Sequence, residues 1–158
     1  MAILEVGNCH YVTGIAPVAD AFDSTQYTDI VSMRGFHQAH FIIWKGVGAT
    51  GTSTITIEAC DDVSASNVSA IPFKYQKQTG SDDTYGALTS ATTAGFTTTA
   101  GSNQIYVIYV DAADLAPSGY GFVRLKAVEV VNSPVLGGVM IELCQARNSQ
   151  PIQDSVIV

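Results

Sequence analysis

Charge is what this chain has least of. Asp, Glu, Lys and Arg make up 13% of its 158 residues, where about 25% is usual for a soluble protein. Seven residues are Lys or Arg against 14 acidic ones, giving a net charge of −7. So few cations can do little to neutralise a phosphate backbone, and nucleic acid is not expected as a ligand. The only histidines are His10, His37 and His40. They form no H-x-H, H-E-x-x-H or Cys/His spacing, so neither a metal nor any other cofactor is expected. No run approaches the ~18 apolar residues of a membrane-spanning helix, and no membrane partner is expected. The first residues, Met1-Ala2-Ile3-Leu4-Glu5, lack the basic and long apolar regions of a signal peptide, which points to synthesis in the cytoplasm. In that reducing compartment Cys9, Cys60 and Cys144 should stay unbridged. Cys60 and Cys144 lie in strand-like runs and read as buried small hydrophobes.

What the chain does have is alternation with a period of two, broken by turn residues about every ten positions. Residues 39–45 are apolar on both faces and read as a central strand ending at Gly46. Residues 54–59 alternate, with Ile55, Ile57 and Ala59 inward and Thr54, Thr56 and Glu58 outward. The Gly-rich stretch between these two runs suggests a hairpin. Residues 70–77 make a further strand that starts at Pro72 or lies at a sheet edge, because Pro has no N–H to donate. Residues 80–83 read as a loop, and 85–88 and 95–99 as weak strands. Residues 104–110, β-branched or aromatic on both faces, read as the most deeply buried strand. Asp111 is placed to cap a single helical turn that ends at Pro117-Ser118-Gly119. Residues 122–128 and 138–144 alternate again, and 29–33 add a short strand. The sum is an all-β protein: an antiparallel β-sandwich of about eight strands, jelly-roll-like rather than immunoglobulin-like. Residues 1–28 form an N-terminal arm with the first strands, 29–147 the sandwich domain, and 148–158 an extended C-terminal tail.

Catalytic chemistry finds no foothold. Asp61-Asp62 and Asp82-Asp83 lack the loop pattern of a Ca²⁺ site and read as turn residues. No G-x-S-x-G elbow occurs, and no Ser, His and Asp stand in a triad order. Gly46-Val47-Gly48-Ala49-Thr50-Gly51 matches G-x-G-x-x-G in spacing alone, because it joins two strands instead of opening a helix. Asn67-Val68-Ser69 is a glycosylation sequon by pattern only. No enzyme is expected. Tyr11, Tyr27, Tyr85 and Tyr120 offer rings that could stack on sugar.

Several stretches carry a resemblance when taken in order. Tyr27-Thr28-Asp29-Ile30-Val31-Ser32-Met33 leads into Phe41-Ile42-Ile43-Trp44-Lys45-Gly46-Val47, then Ile55-Thr56-Ile57-Glu58-Ala59-Cys60-Asp61-Asp62. Gly95-Phe96-Thr97-Thr98-Thr99, residues 106–115 and Val123-Arg124-Leu125-Lys126 complete the set. Over residues 27–146 the chain resembles the β-sandwich head decoration, or cement, proteins of tailed phages and prophages. The resemblance implies a virion protein on the outer capsid surface that binds the major capsid protein, often as a homotrimer. A tail or baseplate module binding host carbohydrate is the alternative. For the capsid contact the N-terminal arm is the first choice, with Ile3, Leu4, Val6 and Tyr11. The apolar tail residues Ile152, Val156 and Ile157 are the choice for contacts between subunits. Removing residues 1–10 is expected to weaken binding to particles, measured by occupancy, and to leave thermal unfolding unchanged.

Overall fold

The computed structural model describes residues 9–48, 50–79 and 84–147. Among them are twelve strands: β1 (Cys9–Val18), β2 (Thr25–Tyr27), β3 (Val31–Ser32), β4 (Phe36–Lys45), β5 (Thr52–Cys60), β6 (Val68–Ile71), β7 (Phe73–Thr79), β8 (Thr89–Ala91), β9 (Phe96–Thr97), β10 (Gln104–Asp111), β11 (Phe122–Val131) and β12 (Gly137–Ala146). A 3-10 helix, Ala112–Ser118, links β10 to β11. It begins with a capping box between Asp111 and Asp114 and ends at Gly119, whose φ of 73° is left-handed.

The strands form two antiparallel sheets. The first runs β1-β12-β4-β10-β7-β8 and the second β2-β11-β5-β6, with β3 on β11 and β9 on β5. The pairs β1–β12, β2–β11, β4–β10 and β5–β6 nest inside one another, as in a single long hairpin folded over on itself. Alternate pairs fall in opposite sheets, and β12–β4 and β11–β5 close them sideways. That is the jelly roll, built from eight of the twelve strands. The other four are short additions, apart from β7, which widens the first sheet.

Period-two alternation explains the core. Phe41 and Ile43 of β4, Ile55 and Ile57 of β5, Ile108 of β10, Leu125 of β11, and Ile141 and Leu143 of β12 have no exposed surface. Sequence neighbours are often not sheet neighbours in this topology, and the expected hairpin of residues 39–45 with 54–59 does not form. β4 lies in the first sheet and β5 in the second, so the Gly-rich stretch carries the chain from one layer to the other. Pro72 marks a second such crossing: β6 ends in the second sheet and β7 begins in the first. Residues 85–88 are not a strand; β8 begins at Thr89. The loop expected at 80–83 lies outside the described residues.

Two further expectations change. The body of the sandwich reaches back to Cys9, because β1 pairs with β12 from Cys9↔Cys144 to Val18↔Gly137. Cutting at residue 10 would therefore remove the first pairs of that strand, and residues 1–8 lie outside the described residues. Cys9 and Cys144 are also joined by a disulfide, their Cα atoms 4.2 Å apart. Only Cys60 fits the expectation of a buried free thiol, its pKa pushed up to about 11 mainly by burial.

Lys45 is an inward residue of β4 and is 2% exposed. Its Nζ donates to the carbonyls of Gly51 and Thr99, each at 2.7 Å. The Thr99 backbone N–H in turn donates to the Tyr106 hydroxyl at 2.9 Å, and that hydroxyl donates to Gln104 at 2.9 Å. This polar knot ties the 98–104 loop to the end of the core. Burial, helped by nearby Lys77, holds the Lys45 ammonium below the ordinary lysine pKa. The folded state therefore binds this proton less tightly than the unfolded chain. Its cost to stability is full at neutral pH and is relieved as pH rises from the folded value toward the unfolded one, about 10.4. In denaturant titrations, wild type should gain stability relative to Lys45→Met as pH rises through that window. A constant difference between the two would refute it.

Candidate docking face

The two outer faces of the sandwich differ in chemistry. On the second sheet, β11 presents Arg124 and Lys126 against Glu58 of β5. Arg124 pairs with the Glu58 carboxylate at 2.7 Å and Lys126 approaches it at 3.6 Å. Glu58, expected to face outward, does lie on that face, but these cations and their stems leave it only 7% exposed. Arg124 also covers the Tyr27 ring, its guanidinium carbon 4.2 Å from the ring centre. This face carries its own charges already paired.

On the outer face of the first sheet, the central strands β12, β4 and β10 are apolar toward one end. Register places Gly138, Trp44 and Ile105 in one row across β12, β4 and β10. The next row is Thr13, Met140, Ile42, Val107 and Gln76, across β1, β12, β4, β10 and β7. Trp44 is 67% exposed and Met140 43%, while Ile42, Ile105 and Val107 are half-buried. Residues 39–45 and 104–110 thus bury one face only. Their second apolar face lies under solvent.

A polar row borders this band: Tyr11, Glu142, His40 and Tyr109. The Tyr11 hydroxyl donates to Glu142 at 2.7 Å, and His40 Nδ1 pairs with the other carboxylate oxygen at 2.8 Å. His40 packs edge-on against Tyr109, whose hydroxyl donates to Gln76 at 2.8 Å. Partial burial pushes the Glu142 carboxyl up, but the hydrogen bonds from His40 and Tyr11 and the His40 charge outweigh it, so its pKa lies below the ordinary value. His40 is on the outer face beside Ile42 and Trp44 and not in the core. Beyond this row a cleft of about 460 Å³ opens among Gln38, Lys74, Ser90, Tyr109, Asp111 and Asp114.

Of the residues expected to make contacts, Tyr11 lies on this face and is 57% exposed. Ile3, Leu4, Val6, Ile152, Val156 and Ile157 lie outside the described residues. Trp44, Ile42, Met140, Ile105 and Val107 are the additions. For all but Met140 the signal was the two-sided apolar pattern of residues 39–45 and 104–110, which central burial and an exposed docking face produce alike. Among the tyrosines considered for sugar stacking, Tyr27 carries Arg124 over one ring face yet stays 43% exposed, Tyr85 is exposed, and Tyr120 packs against the core. Asp61 and Asp62 act as turn residues. Asp61 accepts from Asn67 and Asp62 from Ser64 and Ser66, and these bonds, Asn67 and Ser66 foremost, lower both pKa values. Asp82 and Asp83 lie outside the described residues.

Fold and face together define a jelly-roll sandwich with one self-paired charged face and one unpaired apolar face. No protein-family model matches the sequence, and no curated protein matches it. Among solved structures the chain is similar to the SPBc2 prophage-derived protein YomS, with a TM-score of 0.47 and 14% identity over 86% of this chain and 92% of that one.

Because the folded Glu142 carboxyl has a lowered pKa, it contributes stability above the unfolded value of about 4.3 and loses it as pH falls through the folded value. Wild type should therefore lose more stability than Glu142→Gln between pH ~5 and pH ~3, measured by denaturant titration. Parallel acid-side profiles would contradict this.

Proposed function

We propose that the chain is a non-enzymatic structural protein that binds protein surfaces through the outer face of its first sheet. Specifically, it acts as a decoration protein on the outside of a tailed-phage head, with the major capsid protein as partner. The observation that carries the reading is the band of Trp44, Met140, Ile42, Ile105 and Val107 on an otherwise weakly charged molecule. An exposed Trp and Met in an apolar band, bordered on one side by a row of hydrogen-bonded polar groups, suit a protein interface. The resemblance over residues 27–146 supplies the phage head. Specific contacts bury about 800 Å² on each partner. Repetition over a capsid lattice adds avidity, so each contact can be modest. Separating capsid subunits would then require exposing every bridged patch. Homotrimers suit this role, since one trimer can bridge several capsid subunits.

The test is to add purified full-length chain to empty heads lacking it and measure occupancy by co-sedimentation. Trp44→Asp should lower affinity at least ~30-fold, the loss of about 2 kcal/mol expected at a central aromatic. Its melting temperature should stay at the wild-type value, because Trp44 contributes nothing to the core. Wild-type binding to heads that persists in Trp44→Asp would overturn the choice of face. Absence of any wild-type binding to heads, with binding to tails or to a glycan array, would overturn the decoration reading.

A further inference from the structure

At the corner where β1 starts and β12 ends, three metal-ligating groups converge. The sulfurs of Cys9 and Cys144 and a carboxylate oxygen of Glu142 all lie within 4.8 Å of one another. Two facts of register produce this cluster. Cys9 faces Cys144 directly, and Glu142, two residues before Cys144, projects from the same side of the strand. We propose that, with the disulfide reduced, Cys9, Cys144 and Glu142 bind a zinc ion in a site that alternates with the bridge.

The chemistry fits the donor set. Two thiolates and a carboxylate are borderline-soft and suit Zn²⁺ better than Mg²⁺ or Ca²⁺, and three protein ligands leave a fourth position for water. With Zn–S bonds of about 2.3 Å, two tetrahedral thiolates sit ~3.8 Å apart. Opening a disulfide to that spacing asks for a small shift, and Cys9 can make it because it starts an edge strand paired on one side only. Glu142 is already oriented. Tyr11 holds one of its oxygens and His40 the other, each oxygen keeping a second lone pair, and such outer partners raise metal affinity by fixing the ligand. In balanced form, a thiol reductant supplies two electrons and two protons to give two Cys thiols. Zn²⁺ then displaces two protons to form the dithiolate. The third cysteine, Cys60, is buried in β5 of the other sheet and takes no part. The inference does not depend on the docking reading.

The experiment compares oxidised and phosphine-reduced full-length chain, equilibrated with zinc sulfate under anaerobic conditions and desalted, with bound metal measured by mass spectrometry. Cobalt substitution, read by thiolate-to-metal charge-transfer absorption, reports the ligands. The reduced chain should hold one zinc and the oxidised chain none. Cys60→Ser should match wild type, Glu142→Gln should bind at least ~10-fold more weakly, and Tyr11→Phe should fall between the two. No zinc on the reduced wild type, or full binding by either Cys9→Ser or Glu142→Gln, would overturn the site. Circular dichroism of the reduced, metal-free wild type separates a folded site from capture by an unfolded chain; loss of its β signal before zinc is added would also overturn it.

Discussion

Everything distinctive about this molecule depends on the register of β12 between β1 and β4. Antiparallel pairing on both sides assigns Val139, Ile141 and Leu143 to the core and Met140, Glu142 and Cys144 to the outer face. A slip of one residue would exchange those sets, putting a carboxylate and a thioether in the core and three aliphatic side chains in water. The penalty for burying unpaired Glu142 alone rules the slip out. The same register aligns Trp44 with Gly138, His40 with Glu142 and Cys9 with Cys144. The apolar band, the polar row and the cysteine corner are three outcomes of one pairing.

The two outer faces follow from different solutions to one problem. Each sheet must present a second surface to something other than the core. On the second sheet, Arg124 and Lys126 share the Glu58 carboxylate, and Arg124 lies over the Tyr27 ring, so long charged side chains shield the middle of that surface. On the first sheet the central strands present Ile42, Trp44, Ile105 and Val107, with no long charged side chain to shield them. The low overall charge of the chain is therefore concentrated as an absence on one face, which is why that face and not the other is assigned to a partner.

Much of the fold was legible because alternation is a local property. Ile55-Thr56-Ile57, Val123-Arg124-Leu125 and Val139-Met140-Ile141 each declare their inward side without reference to other strands, and Asp111 and Gly119 mark the ends of the helical turn. Pairing is not local. The link from β4 to β5 reads as a hairpin, because Gly-rich connections usually join sheet neighbours, yet in a jelly roll it crosses between layers. The disulfide was missed because a reducing compartment was expected, and nothing local pairs Cys9 with Cys144, 135 residues away, until the first strand closes on the last. Of the candidate site, Tyr11 alone was anticipated. The apolar outer face stayed hidden because hydrophobic residues on both sides of a strand are equally the mark of double burial.

The cysteine corner bears on the mechanical side of the proposed role. Among the described residues β1 is an edge strand held by β12 alone, and Cys9 is the first residue of that pairing. A force applied through that end would act on one rung of the ladder at a time, the geometry in which a strand peels most easily. Hydrogen bonds opened in sequence share no load. A covalent bridge, or a metal held by the same two sulfurs, sits at the first rung and forces the remaining rungs to bear the pull together. β12 ends at Ala146, beside the same corner. A link between Cys9 and Cys144 therefore secures the start of β1 and the end of β12 at once, and it does so beside the polar row that borders the apolar face. For the proposed task of keeping neighbours from separating, that is the corner where reinforcement has most effect.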